Sequence, residues 1–463
     1  MRNTAHSKEE NSVHKNEHPP APKRVAIVQL GCAKNIVDSE NMLGILKAKG
    51  YEITINPEDA EILIVNTCGF MDSARKESME TILGAVFLRE YGLCSKLVVA
   101  GCMADKWKRE LKRQFPAIDA FLSIDDIPRT AEIVSGEAVS PKKKGPAPFF
   151  LADHTTPRLL STPPYTAYLK IADGCNHTCS FCVIPALRGK FRSRAVESVV
   201  REAEALAAGG VRELNLIAQD TTAYGADLGM REGLTQLLKR LARIDSVKWI
   251  RVLYSFPTRI PDSLLELMSS ESRICPYLDI PLQHVDREIL KRMRRRGSGE
   301  SYLKLIARLR KAVPQIVLRS AFMLGFPGEG KREFQELLDF LEEARLDRVG
   351  AFLYSHERMA GAHRFKETAS KRTKQARYDK LMKLQAQVSL EKNRALIGRV
   401  MEVLVEGPAS VRGSLQTARS AGQAPEVDGY VFIRDAAAIA PGSFLSVRIE
   451  NALEYDLVAV PVL

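Results

Sequence analysis

The stretch Asp173-Gly174-Cys175-Asn176-His177-Thr178-Cys179-Ser180-Phe181-Cys182 sets three thiols in the order Cys-x-x-x-Cys-x-x-Cys. Three sulfurs so close on one loop can hold three irons of a 4Fe-4S cluster, a group normally held by four thiolates. The fourth iron is then open to bind a small molecule and pass it one electron. The other reading is a zinc loop short of a ligand, although zinc loops usually pair their cysteines as Cys-x-x-Cys. Three more cysteines, Cys32, Cys68 and Cys102, are scattered, yet each stands beside a glycine at the end of an apolar run.

Those runs are Arg24–Leu30, Glu61–Thr67 and Lys96–Ala100, with helical patterns at Asn35–Lys49 and Phe70–Arg89 between them. Alternating strands and helices predict a parallel sheet with crossover helices, in which sites form just beyond the carboxyl ends of the strands. A single Cys after a buried strand is usually core. Three at equivalent positions predict a second three-thiolate cluster. Cys94 and Cys275 follow no such pattern and read as inert.

From Tyr165 onward six strands are expected: Tyr165–Ile171, Glu213–Ala218, Lys248–Leu253, Tyr277–Ile280, Ile316–Met323 and Arg348–Leu353. With helical patterns between them they suggest an open, partial (β/α) barrel, since a complete one needs eight. Three further segments end strands: Gln219-Asp220, Gln283-His284, and Gly325-Phe326-Pro327-Gly328-Glu329. The glycines there let backbone approach a cofactor closely. His177 and His284 show no base or orienting partner in sequence. Beyond Arg394 the pattern turns to short strands, Val400–Val405, Gly429–Ile433, Phe444–Ile449 and Asp456–Val460, predicting a small β-barrel. From Arg394 it holds six Lys or Arg against eight Asp or Glu, a poor composition for gripping a phosphate backbone.

The 463 residues suggest two to four domains, and no apolar run reaches membrane-span length. Residues 1–22 read as a polar disordered tail rather than a signal peptide, and 139–156 as a Pro- and Lys-rich linker. Eight cysteines in so long a chain argue against a disulfide framework and for a reducing, cytoplasmic compartment. The formal charge of +12 fits either a nucleic-acid partner or a solvated basic surface. The cation run Lys291–Arg296 reads as solvated, and the basic helical pattern Lys366–Lys383 as a connector.

The cysteine loop, with Phe181 before its last Cys, resembles the radical S-adenosylmethionine enzymes. Adding Leu-Gly-Cys-Ala-Lys-Asn at 30–35, Asn-Thr-Cys-Gly-Phe at 66–70 and Ala-Gly-Cys-Met at 100–103, the chain resembles the methylthiotransferases within that superfamily. The resemblance implies an α/β chain: a methylthiotransferase N-terminal domain at 23–138, a radical domain at 157–392 and a TRAM barrel at 394–463. It implies two 4Fe-4S clusters, one on Cys175, Cys179 and Cys182, the other on Cys32, Cys68 and Cys102. It also implies S-adenosylmethionine bound near Phe181, Gln219, Asp220, Gln283, Arg319, Gly325, Gly328 and Glu329. Asp-Gly-Cys-Asn-His-Thr-Cys-Ser-Phe-Cys, Ala-Gln-Asp-Thr-Thr-Ala-Tyr-Gly at 218–225 and Ala-Pro-Glu-Val-Asp-Gly at 424–429 look like the branch that modifies an aspartate of ribosomal protein S-twelve, free or in the small subunit. An electron-donor protein is implied. The β-hydrogen of an aspartate is too weakly acidic for ordinary bases, which is why such chemistry needs a radical cofactor. Methylthiolation of transfer RNA, or a non-catalytic iron–sulfur or zinc module docking on the ribosome, are the other readings. One departure stands out: Glu357 to His363 replaces the family's usual acidic residue followed by Gly-Thr.

Overall fold

The structure, a computed structural model, describes residues 23–137, 149–409, 415–434 and 439–462. The tail expected at 1–22 and the Lys142–Lys144 run lie outside them. The first sheet contains β1 (Arg24–Gln29), β2 (Glu52–Ile53), β3 (Ile62–Thr67), β4 (Lys96–Gly101) and β5 (Ala120–Leu122), all parallel, in the order β2-β1-β3-β4-β5. The β3 strand, Ile-Leu-Ile-Val-Asn-Thr, is buried at every position, as a parallel strand covered on both faces must be. The short edge strands β2 and β5 were not expected from the sequence.

Helix α1 (Ala33–Ala48) begins right after Cys32. It buries Lys34, Asn35, Asp38, Ser39, Glu40 and Asn41 besides its apolar residues. A surface helix exposes its polar stripe. This one is enclosed, because the central domain packs on the stripe.

In the central domain a two-stranded hairpin, β7 (Ala172–Asp173) and β8 (Arg192–Ser193), brackets the cysteine loop. The main sheet is β6 (Thr166–Lys170), β9 (Glu213–Ile217), β10 (Trp249–Val252), β11 (Ile274–Asp279), β12 (Val317–Leu324) and β13 (Arg348–Leu353). It is open and parallel, with neighbours in chain order. The six strands match expectation within a few residues. One face packs on the crossover helices. On the other face Tyr168, Ile217, Trp249 and Tyr277 meet Ala33 and Val37 of α1 at one side, and Leu404, Ala424 and Phe444 of the last domain at another. Helix Lys371–Arg394 is longer than the Lys366–Lys383 pattern suggested. It leads to a closed barrel of β14 (Val400–Pro408), β15 (Gln416–Ser420), β16 (Val431–Ile433), β17 (Phe444–Ala452) and β18 (Leu457–Pro461). The polar strand β15 was not anticipated.

The barrel is fastened through Glu213 at the start of β9. Its carboxylate takes the Arg419 guanidinium at 2.6 Å and Arg251 at 3.1 Å, and all three side chains are sealed from solvent. Burial alone would raise the Glu213 carboxyl, but Arg419 and Arg251 outweigh it and hold it down at about 2. A depressed folded value makes this contribution complete above the ordinary Glu value of 4.5 and lost as pH falls through about 2. Glu213→Gln leaves the buried Arg251 guanidinium without its carboxylate and Arg419 with Glu406 alone, so it is expected to destabilise the protein by about 3 kcal/mol in denaturant unfolding at neutral pH. The gap from wild type should shrink as the pH falls from 4.5 toward 2.

Candidate functional site

Strand β6 and the β7–β8 hairpin deliver the loop Cys175–Cys182. Gly174 turns into it with φ +84°, and a side chain there would run into the backbone of Lys190, so only glycine fits. The Cys175 N–H donates to the Gly189 carbonyl at 3.1 Å. The His177 N–H points at the Cys175 sulfur and the Ile184 N–H at the Cys182 sulfur, each at 3.4 Å. Backbone donors aimed at sulfur stabilise the thiolate form that ligation requires.

Cys32, Cys68 and Cys102 follow β1, β3 and β4, as expected. Asn35 ties their loops together. Its amide donates to Leu30 O and Thr67 O, both at 2.9 Å, and its oxygen accepts from Arg188 at 2.5 Å. At Gly31 (φ +91°) an added Cβ would stand 2.7 Å from the Cys68 Cβ, so the turn is closed to larger residues.

All six cysteines line one cavity of about 480 Å³ between the first two domains. Among the described residues, no three His, Cys, Asp or Glu side chains close on a single ion; the thiols surround a space rather than a point. Burial pushes the Cys68 and Cys182 thiols up to about 12 and Cys175 to about 11. At Cys32 burial also acts upward, but Lys34, Arg188 and two backbone donors outweigh it, and its thiol lies below the ordinary value. Three buried polar atoms on the cavity wall, Gln219 Oε1, Gln283 Oε1 and Ser255 Oγ, have no partner. A wall with unmatched donors and acceptors is one built for a polar ligand.

Arg188 bridges the two cysteine sets. It follows Cys182 by six residues, pairs with Asp38 at 2.6 Å and Asp173 at 3.1 Å, and reaches the Cys102 sulfur at 3.5 Å. Lys170 pairs with the same two carboxylates. Arg295 turns inward, donating to Pro281 O at 2.8 Å, stacking on Phe256 at 4.5 Å and lying 3.9 Å from the Cys179 sulfur. Its neighbours in the cation run, Arg294 and Arg296, are exposed, so the solvated reading holds for them and fails for Arg295. Sequence reasoning missed Lys34, Asn35, Arg188 and Arg295. Lys34 and Asn35 stood inside the Leu-Gly-Cys-Ala-Lys-Asn segment, whereas nothing local marked the two arginines.

Phe181, Gln219 and Gln283 line the cavity. Gln219 also donates to Asp173 at 2.7 Å. Asp220 does not line it; it accepts from His177 at 2.7 Å and borders a separate pocket of about 230 Å³. His177 thus has the orienting partner that the sequence did not reveal, and stacks on Phe256 at 3.8 Å. His284 has its Nδ1 accepting from Asp286 N–H at 3.0 Å, and burial pulls it down to about 4. It is neutral at pH 7.

Four other expected contacts are not part of this cavity's lining. Arg319 lies early in β12 and pairs with Asp428 of the barrel at 2.8 Å, away from the cavity. Glu329 is buried, accepting from the Gly325 N–H at 2.8 Å and holding Arg377 at 2.6 Å. Gly325 packs on the Lys374 stem and Gly328 under the Arg292 guanidinium. That turn packs against the helix Lys371–Arg394 through Lys374 and Arg377. The atypical loop has its own role: Glu357 accepts from Asp72 N–H at 2.8 Å and pairs with Arg75 at 2.5 Å, while Ala362 N–H donates to Ser180 O at 2.6 Å. It latches the first domain to the cysteine loop.

Three family models match the chain: Radical SAM superfamily over residues 169–341, Uncharacterized protein family UPF0004 over 24–123, and TRAM domain over 397–462. A relative from Syntrophotalea carbinolica named ribosomal protein uS12 methylthiotransferase RimO is 45% identical over 455 residues, 97% of this chain and 98% of the relative. A protein of the same name from Geobacter sulfurreducens is 46% identical over 440 residues, 95% of this chain and 98% of that one. The solved structure of a radical S-adenosylmethionine methyltransferase, TsrM, from Kitasatospora setae, with cobalamin and a 4Fe-4S cluster bound, aligns with TM-score 0.52 at 14% identity over 72% of each chain. The likeness is one of fold alone. No helix among the described residues is long and apolar enough to cross a membrane.

The thiol environments generate a direct test. In metal-free protein near pH 8, a small haloacetamide is expected to alkylate Cys32 ahead of Cys68, Cys175 and Cys182, because only the thiolate reacts. Peptide mapping by mass spectrometry over a time course reads the order. Simultaneous labelling of all four would contradict the burial and charge pattern.

Proposed function

The chain belongs to the ribosomal protein uS12 methylthiotransferase family, and from that premise we propose that it places a methylthio group on the β-carbon of an aspartate of uS12. The observation that carries this reading is the shared cavity: two cysteine triplets from two domains open on one space. A radical source and a sulfur source must act on the same carbon in turn, and reacting groups are effective only when held close and oriented.

In this reading residues 23–138 form the methylthiotransferase unit, 157–392 the radical unit and 394–463 the TRAM unit. Cys175, Cys179 and Cys182 hold one 4Fe-4S cluster, and Cys32, Cys68 and Cys102 a second. When bound, the clusters and S-adenosylmethionine supply a hydrogen-abstracting radical and a methylated sulfur. The protein's own residues do the rest. Phe181 offers a ring face to the adenine, and Gln219 and Gln283 offer their unmatched oxygens to the cofactor's polar groups. Arg188 holds the two thiol sets in register, and burial keeps bulk water from the radical.

The last barrel favours a protein substrate over RNA. With six Lys or Arg against eight Asp or Glu, and Arg419 sealed against Glu213, it has no excess of positive charge to offer phosphates. A cytoplasmic setting and a reducing electron-donor protein fit free-thiol chemistry of this kind.

Anaerobic reconstitution is expected to give about eight irons per chain, two clusters of four. Replacing Cys175, Cys179 and Cys182 by Ala should remove about half of them and abolish reductive cleavage of S-adenosylmethionine. Replacing Cys32, Cys68 and Cys102 by Ala should remove the other half and leave cleavage in place. In cells lacking the gene, uS12 should lose a methylthio-sized mass increment with transfer RNA nucleosides unchanged. Loss of a methylthio nucleoside instead would overturn the substrate assignment.

A further inference from the structure

We propose that Lys34 selects the substrate by holding the target aspartate's carboxylate inside the cysteine-lined cavity. The inference rests on the reading above that the substrate is an aspartate side chain, and it adds the residue that recognises it.

Lys34 stands in the first turn of α1, two residues beyond Cys32, and lines the cavity. It is 6% exposed. Its ammonium lies 3.4 Å from the centroid of the Tyr254 ring, and Tyr254 is held there by a left-handed backbone at φ +60°. A cation–π contact offsets only part of the cost of taking an ammonium out of water. Among the described residues no carboxylate forms an ion pair with Lys34. Asp279, which lies in its electrostatic reach, is engaged elsewhere: it accepts from Tyr254 N–H at 3.2 Å and lies 3.8 Å from Arg319 Nε. The lysine is thus a buried cation on a cavity wall whose partners are the Tyr254 side chain and the Cys32 thiol, with no carboxylate among them.

Three cations line this cavity, and their surroundings sort them. Arg188 is neutralised by Asp38 and Asp173. Arg295 lies against Cys179 and Phe256, on the side of the Cys-x-x-x-Cys-x-x-Cys loop where the cofactor belongs. Lys34 is on the other side, in the first turn of α1 directly after Cys32. An incoming carboxylate finds its unmatched partner there, next to the thiols assigned to the sulfur-bearing cluster. A carboxamide in the same place would bring no charge and would leave the ammonium without a carboxylate partner. The lysine therefore distinguishes Asp from Asn at the target position.

The test measures binding without turnover. Reconstituted wild type and the Lys34→Gln and Lys34→Met variants are titrated calorimetrically, without reductant, with uS12 carrying either its native Asp or an Asp-to-Asn change. Wild type is expected to bind the Asp form roughly 10- to 100-fold more tightly, the range for a hydrogen bond to a charged group. Both variants should bind the two forms equally, with iron content matching wild type. A purely structural lysine would lower binding of both forms and leave the preference intact, which would overturn the proposal. Should a variant fail to load iron, the Asp-to-Asn comparison in wild type decides: binding without preference overturns the Lys34 assignment alone. No binding of uS12 in either form overturns the substrate reading and Lys34's role with it.

Discussion

Four charges held out of water, Asp38, Lys170, Asp173 and Arg188, make two cysteine sets into one site. Asp38 comes from α1 in the first domain; the other three come from the central domain. Each is 3% exposed or less at the side chain. A buried charge is expensive unless it is paired and hydrogen-bonded. The central domain does not satisfy this cluster alone: without Asp38 it holds two cations against one carboxylate, and docking both buries Asp38 and pairs it with Lys170 and Arg188. Arg188 extends the network to Asn35 and Cys102, so the same contacts that join the domains set the distance between the thiol loops. Glu40, buried on the same helix, repeats the device by taking Arg158 at 2.6 Å, which also holds Glu202 at 2.5 Å.

The open sheet explains why such partners are needed. An incomplete barrel leaves one face of six strands uncovered, and side chains alternate across a strand, so every second residue points to that face. Here it carries Glu213, Arg251, Asp279 and Arg319 among aromatic residues. Helix α1 covers one part, beside the cysteine loop, and the TRAM barrel covers another through Arg419 and Asp428. The two covers divide the labour. The N-terminal one brings chemistry, while the C-terminal one closes the sheet with charges that are spent internally.

This division also explains what the sequence could and could not disclose. The placement of the cysteines at loop and strand ends was legible because close spacing and strand ends are local signals. The six central strands were legible because buried parallel strands read as apolar runs. Arg188 was not: its partners Asp38 and Asn35 lie 150 and 153 residues away, and no local pattern predicts a pairing at that range. The Arg319–Asp428 pair was hidden for a related reason: the two lie 109 residues apart and join strand β12 to the barrel. Strand β15 was overlooked because Gln416 and Arg419, both buried, break the apolar alternation that would have revealed it; Arg419 is polar there because Glu213 is waiting for it.

Backbone strain follows the same geography. Among the described residues six non-glycine positions have positive φ, and two of them, Tyr254 at +60° and Gln283 at +75°, lie on the cavity wall just beyond β10 and β11. Such conformations cost of order 1–3 kcal/mol each and persist only where surrounding contacts over-determine them. Those contacts are present. Tyr254 N–H donates to the Asp279 carboxylate at 3.2 Å and its carbonyl accepts from Thr221 N–H at 3.0 Å. Gln283 is fixed on both sides by β12, donating to Ala321 O at 2.9 Å while its carbonyl accepts from Met323 N–H at 2.8 Å. Were either strand to continue in regular geometry, its next side chain would follow the alternation of the sheet. The left-handed turn instead aims one ring at Lys34 and one amide into the cavity. The strain is thus the local means by which a regular sheet directs side chains at a site beyond its own edge.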